Sequence, residues 1–275
     1  MTGAPWFWAV AALRRAVGVG ALLALAAFIL GPLATLLVWA FAGTWLFPNL
    51  VPDFSLKWWL YVLGNADVGK SIRMSFLSAP TATLLSALIC IPAAYAFARL
   101  EFPGRRVLLL SFLSANAFPK IGLYVSIATL FYRLDLMDTF AGVVLIQLVN
   151  TLLFMIWIPT GTFRGINVNL EEAARDAGAG PLRTFFQITL PIALPGLVVA
   201  ALFAFIAAFD EAQGSLIVGT PNHITMPVMM YALVLGYPQP VGAVFSVLLS
   251  LPSVILLLLA QRYLRAGYLA AGYSL

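Results

Sequence analysis

The chain holds one histidine, His223, and one cysteine, Cys90, which narrows the chemistry it can perform. A single imidazole cannot build a metal site, which needs three or four convergent ligands. Cys90 lies in an apolar run and has no second thiol, so no intrachain disulfide can form. No Ser–His pair, His-Glu-x-x-His pattern or acidic dyad in separate apolar runs is visible. The sequence therefore does not read as an enzyme, and no metal or cofactor is expected in this chain. One stretch imitates a nucleotide site. Gly64-Asn65-Ala66-Asp67-Val68-Gly69-Lys70-Ser71 satisfies G-x-x-x-x-G-K-[ST]. A working phosphate loop follows a buried strand and opens a helix, so that backbone N–H groups surround the phosphates. Here the preceding residues, Lys57–Leu63, are an aromatic segment and the following ones a long apolar run. Gly64 and Gly69 are expected to form a turn, with Lys70 and Ser71 opening the next element.

Ionisable residues inside apolar runs are the second source of chemistry. Lys120, Asp210 and Glu211 are such residues. In hydrocarbon they are costly, and they usually face a pathway or a partner. Counted from one side of the membrane, Lys120 and Asp210 both lie at a depth of ~20 Å at helical rise. That match predicts either an ion pair between Lys120 and Asp210 or Glu211, or side chains turned to a solute. Asn116 and Gln147 are the further candidates for lining the path, whereas amides such as Asn150 and Gln213 more commonly hydrogen-bond between helices. Pro119 weakens the helix beside Lys120 and can free a carbonyl for solute.

The elements that must position these residues follow from composition. Of 275 residues, 63% are apolar or aromatic and 9% are charged. Soluble domains run near ~25% charged, and disorder needs few apolar residues, so both are excluded. Six stretches are long and apolar enough to cross a membrane: Val17–Ala42, Ser71–Phe97, Val107–Phe131, Phe140–Phe163, Gly196–Val218 and Val241–Ala260. The expected fold is thus all-α, a polytopic membrane protein of six transmembrane helices. The first stretch is too long for a signal peptide and reads as a retained span. With six spans both termini share one side. That side carries Arg14, Arg15, Arg99, Arg105, Arg106, Arg164, Arg175, Arg183, Arg262 and Arg265. The other carries Lys57, Lys70, Arg73 and Arg133. The positive-inside rule then puts both termini in the cytoplasm. Trp45, Phe47, Trp58, Trp59 and Tyr61 suit an external interfacial segment, and Trp6, Phe7 and Trp8 suit the opposite interface. His223, with Pro221 and Asn222, falls in the last external loop, where packing is the commoner role of nearby Met226, Met229 and Met230.

The longest cytoplasmic stretch, Arg164–Pro195, breaks the apolar rhythm. Asn169 can cap a helix starting near Leu170, with Glu171 and Glu172 in its first turn, where the macrodipole favours acids. Ala173, Ala174 and Ala177 make one side of that helix small. Gly178 and Gly180 permit a sharp turn, and Pro181 can open the next helix. Such a helix suits close approach by another protein.

Glu172-Ala173-Ala174, three residues, Gly178, nine residues, then Ile188-Thr189-Leu190-Pro191 fills every fixed position of E-A-A-x3-G-x9-I-x-L-P. It resembles the EAA signature of permease subunits of binding-protein-dependent type I ABC importers, and the resemblance extends over roughly residues 70–265. Arg99–Arg106 resembles that family's loop between the second and third spans. Phe209-Asp210-Glu211 and Phe54-Ser55-Leu56-Lys57-Trp58 look like the polyamine and opine branch, while Gln261-Arg262-Tyr263 with Gly267 looks like the carbohydrate branch. The resemblance implies a MetI-like permease fold. Residues 1–69 would be an N-terminal segment with the first helix and the external segment. Residues 70–265 would be the permease core, with the EAA loop at about 164–195, and residues 266–275 a cytoplasmic tail. It also implies ATPase coupling through Glu171, Glu172, Ala173, Ala174, Asp176 and Gly178, with Glu172 facing a basic residue of the ATPase. A substrate path would involve Asn116, Lys120, Gln147, Asp210 and Glu211.

The implied partners are a second permease subunit, two copies of a cytoplasmic ATPase that bind ATP and magnesium, and an external solute-binding protein. The implied location is a bacterial inner membrane, in contact with lipid and without nucleic acid. The alternative function is an ion-coupled secondary transporter using Lys120, Asp210 and Glu211. Such proteins often show internal repeats, and none is discernible here.

Overall fold

The computed structural model describes residues 5–46, 48–114 and 119–263. It divides into two compact units, residues 1–64 with 233–248, and residues 65–232 with 249–275.

In the first unit a single long helix, α1 (Pro5–Phe41), is apolar on every side beyond Arg15 and exposed from Ala12 to Leu30. A helix of that kind is a membrane span. It runs into a small antiparallel ladder of β1 (Ala42–Thr44) and β2 (Asp53–Phe54), then into α2 (Lys57–Gly64). The aromatics expected at an interface hold this corner together. Trp58 Nε1 donates to the Gly43 carbonyl at 3.1 Å, and the Trp39 and Trp45 rings lie 4.6 Å apart.

The second unit is built on α3 (Ala66–Arg99), α6 (Phe140–Gly165) and α9 (Leu190–Phe209), which pack against one another. The inward face of α3 is small and repeats at helical spacing: Ser71, Ser75, Ser78, Ala82, Ser86, Cys90 and Ala94. Small residues let membrane helices approach closely without an apolar driving force between them. Met155, Ile156, Ala200 and Ala204 fill the space against Cys90 and Phe97. With 34 residues α3 is ~50 Å long, well beyond the ~30 Å of hydrocarbon.

Four expectations are corrected. Among the described residues five helices, not six, are long and apolar enough to cross: Ala12–Phe41, Ala66–Arg99, Phe140–Gly165, Pro181–Phe209 and Gln239–Leu259. The third stretch instead holds two shorter helices, α4 (Arg105–Ser114) and α5 (Lys120–Arg133). Neither reaches the ~20 residues a crossing needs. Pro119 stands at the α5 N-cap, where a residue without an N–H costs the helix nothing. The fifth stretch also breaks: α9 ends at Phe209 and a separate α10 (Gln213–Gly219) follows. Apolar periodicity does not register such a break. Next, α11 (Met226–Gly236) occupies what reads as loop, with Met226 and Met229 buried in packing. After it α12 (Gln239–Tyr263) matches the sixth stretch. Last, Gly69 is no turn residue. Asn65 caps α3 by accepting from the Asp67 and Val68 amides, and Gly69 and Lys70 lie inside that helix. The amides a phosphate loop would present are consumed by helix, and Lys70 pairs with Asp67 at 2.9 Å.

α10 rests on α5 and α6. A Cβ on Gly214 would meet Ile146 Cγ1 at 2.5 Å and the Tyr124 ring at 3.2 Å, whereas one on Gly69 meets nothing within 4 Å. Gly214→Val should therefore lower the melting temperature in detergent by an overpacking cost of ~1–3 kcal/mol. Gly69→Ala should raise it slightly through helix propensity. Equal effects of the two would contradict the close approach of α10.

Candidate functional site

The EAA stretch forms α7 (Val168–Asp176), a turn, α8 (Pro181–Thr184) and a π-helical turn, Phe185–Thr189, that leads into α9. Asn167, not Asn169, is the N-cap: its side chain accepts from the Asn169 amide, so the helix starts two residues earlier than expected. Either asparagine has a capping side chain, and the extended backbone at Asn167 decides between them. At the other end Gly178 takes φ +87°, and its amide donates to the Arg175 carbonyl while that of Ala179 reaches Ala174. This is the left-handed glycine termination of a helix. Pro181 opens α8 as expected.

Glu171 is the buried residue of α7, 1% exposed. Its carboxylate accepts from Arg99 Nε at 3.0 Å and Nη2 at 2.9 Å, from the Tyr95 hydroxyl at 3.0 Å and from the Thr189 hydroxyl at 3.0 Å. Arg99 Nη2 also donates to the Ile166 carbonyl at 3.0 Å, and Arg175 Nη2 stands 3.9 Å from Glu171. Burial by itself would raise the Glu171 carboxyl. The hydrogen bonds from Arg99, Thr189 and Tyr95, with the Arg99 charge, outweigh it and hold the group below the ordinary carboxylate range. The neighbouring positions face the other way. Glu172, Ala173, Asp176 and Ala177 are exposed, while Ala174 is half-buried. One step along a helix rotates the side chain by about 100°, so two adjacent acids end on different faces. Sequence reasoning grouped Glu171 with Glu172 and missed Tyr95, Arg99 and Thr189. The signal for the first two was their i, i+4 spacing at the end of an apolar run.

The intramembrane candidates do not assemble as expected. Lys120 is exposed at the start of α5 and forms no ion pair among the described residues. Asp210 is exposed as the C-cap of α9. Glu211 is 4% exposed and caps α10: its carboxylate accepts from the Gly214 amide at 2.7 Å and from the Ser215 amide and hydroxyl at 2.7 and 2.6 Å. The break in the helix supplies the donors that an acid in continuous helix would lack, so no lysine is required. Tyr124, on α5, lies in electrostatic reach of Glu211 and donates to Asn150 Oδ1 at 3.1 Å. Gln147 is 1% exposed, and its carbonyl oxygen has no hydrogen-bond partner. Asn116 lies outside the described residues. His223, on the segment after α10, is not alone: its Nδ1 is 3.2 Å from Asp138, which also accepts from the Asn222 amide at 2.8 Å. Among the described residues no cluster could hold a metal ion.

No family model matches the chain. A putative ABC transporter permease protein of Streptomyces antibioticus is 33% identical over 198 residues, 71% of this chain and 86% of that one. The trehalose transport system permease protein SugB of Mycobacterium tuberculosis is 33% identical over 203 residues, 72% of this chain and 73% of that one. The chain belongs to the permease subunits of type I ABC importers. The maltose/maltodextrin permease MalG of Escherichia coli is 33% identical over 229 residues, 80% of this chain and 73% of that one. A bacterial ABC transporter for the acidic polysaccharide alginate aligns over 96% of this chain and 99% of that one at a TM-score of 0.71 and 18% identity. The MetNI methionine transporter aligns over 76% and 96%, with a TM-score of 0.58 and 23% identity. These two show the fold. The permease is a multi-pass membrane protein that transports a small organic solute, and it is not an enzyme.

Two outcomes follow. Lys120→Met should leave stability in detergent unchanged, and adding Asp210→Asn should restore nothing, because neither charge depends on the other. Glu171, whose carboxyl is depressed when folded, contributes stability that is complete above the unfolded value near ~4.3 and is lost as pH falls through the folded value. Melting temperatures of the wild type should therefore drop below about pH 4.3. Glu171→Gln should be less stable at pH 7 by ~3–5 kcal/mol, the cost of stranding Arg99, and should show a smaller acid-induced drop.

Proposed function

We propose that this permease forms half of the translocation pathway for a small carbohydrate. An external binding protein delivers the solute, and ATP hydrolysis by two cytoplasmic ATPases drives its passage. The observation that carries the reading is α7: the exposed face of Glu172, Ala173 and Asp176, with Ala177 at its end, combines small residues with acids, and Glu172 and Ala173 are fixed positions of the EAA pattern. Alanines allow a groove to close on the helix, and the acids meet a basic residue of the ATPase. Similarity to trehalose and maltose permeases favours a sugar over a polyamine. The partner permease, the two ATPases and the binding protein complete the importer in a bacterial inner membrane.

ATP binding closes the ATPases and draws the two coupling helices together. The paired bundles then turn from inward- to outward-facing. Lys120 and Asp210, both exposed, face the path, while Glu211 sets the course of α10. The arginine-rich side, which includes the α7 loop, faces the cytoplasm and the ATPases.

Glu172→Lys and Gly178→Asp should each abolish uptake while the permease still inserts, and the ATPase should dissociate from membranes more easily. Normal transport in both variants would sink the coupling assignment. Cysteine at Gly180 should resist impermeant thiol reagents in intact cells, whereas cysteine at Leu50, 92% exposed, should react. The reverse pattern would invert the orientation. Thermal-shift screening of the binding protein should return a sugar ligand, and a polyamine would overturn the substrate class.

A further inference from the structure

We propose that Glu171 is a positioning residue for coupling: its ion pair with Arg99 fastens α7 to the end of α3 and the start of α9, so force on α7 reaches the bundle through side chains. The inference rests on the reading of α7 as the helix that meets the ATPase. Nine residues of helix are too few to hold their form alone, so α7 requires a tertiary anchor. Both of its connections are turns, at Ile166–Asn167 and at Ala177–Gly180 around the left-handed Gly178. Neither turn continues the helix into the bundle.

The anchor is a charge where an apolar side chain would stabilise as well. What a carboxylate adds is direction. Hydrogen bonds from Tyr95, Arg99 and Thr189 fix Glu171 against two separate elements, and the Arg99 bond to the Ile166 carbonyl draws in the end of α6. Tyr95 cannot swing away, because its ring meets Phe163 edge-on at 5.5 Å and Phe185 at 5.0 Å. The π-helical turn resets the phase of the helix so that Thr189 is fully buried against the carboxylate. The pattern acid Glu172 points outward and Glu171 inward, so the first receives the push and the second passes it on.

The test uses the complete complex purified with its ATPase and reads bundle motion without any solute. A cysteine at Lys120, exposed on α5, reports by its rate of labelling with a maleimide before and after trapping with ATP and vanadate. In the otherwise wild-type complex the rate should change on trapping. With Glu171→Gln, nucleotide trapping should persist while the change in labelling rate shrinks about tenfold, as coupling residues can command. The double variant Arg99→Met with Glu171→Met refills the site with apolar atoms. It should regain thermal stability yet still fail to respond. A merely structural role would reduce the amount of complex and leave the response of the remainder intact, and that result overturns the proposal. So does a full response in the double variant. A wild-type complex that traps nucleotide with no change in labelling would sink the coupling reading itself, and the positioning role with it.

Discussion

A carboxylate buried at the root of a surface helix is the constraint on which the loop side of this permease depends. Glu171 sits almost out of water with Arg99 against it, and an unpaired partner on either side would carry a large desolvation cost. Several features answer to that pair. α3 must be long enough to bring Tyr95 and Arg99 level with α7. The chain must leave α6 at Ile166 with its carbonyl turned to Arg99. α9 must begin with a π-helical turn to bring Thr189 round. A wide departure in any one of these leaves a buried polar group unsatisfied.

The opposite half of the second unit solves a related problem differently. Glu211 has an acid's need for donors in a segment that reads as hydrocarbon-spanning, and it finds them by ending one helix and starting another. The Gly214 and Ser215 amides, free at the start of α10, satisfy the carboxylate. Gly214 then allows α10 to press against Ile146 and Tyr124. One buried acid is held by a cation and the other by helix-end amides. The difference is set by what the local backbone can offer.

Much of the fold was legible in the chain. Four of the five long helices run within a few residues of apolar stretches visible in the sequence, because ~20 apolar residues have few other uses. The EAA pattern was legible too, with Gly178 at its turn and Pro181 at the next helix start, since both positions have strong backbone requirements. Reading failed where two options differ little locally. Asn167 and Asn169 are both good caps, and Gly69 serves a turn or a helix. Apolar runs at Pro119 and at Asp210–Ala212 hide the end of a helix because hydropathy averages over it. Lys120 and Asp210 matched in depth along separate apolar stretches, but depth along a helix says nothing about which way a side chain faces.

By itself the sequence determined that this is a membrane protein, and that its longest polar stretch carries the EAA pattern. Composition and spacing suffice for that, because hydrocarbon thickness and turn geometry act on each segment separately. Which of Glu171 and Glu172 is buried was decided by tertiary structure alone. The two are the same residue type, adjacent and in the same first turns of one helix. What separates them is the presence of Tyr95, Arg99 and Thr189 on one side of α7, brought there from 72 to 76 residues upstream and 18 residues downstream. No local rule joins positions so far apart; packing of α3, α6 and α9 does.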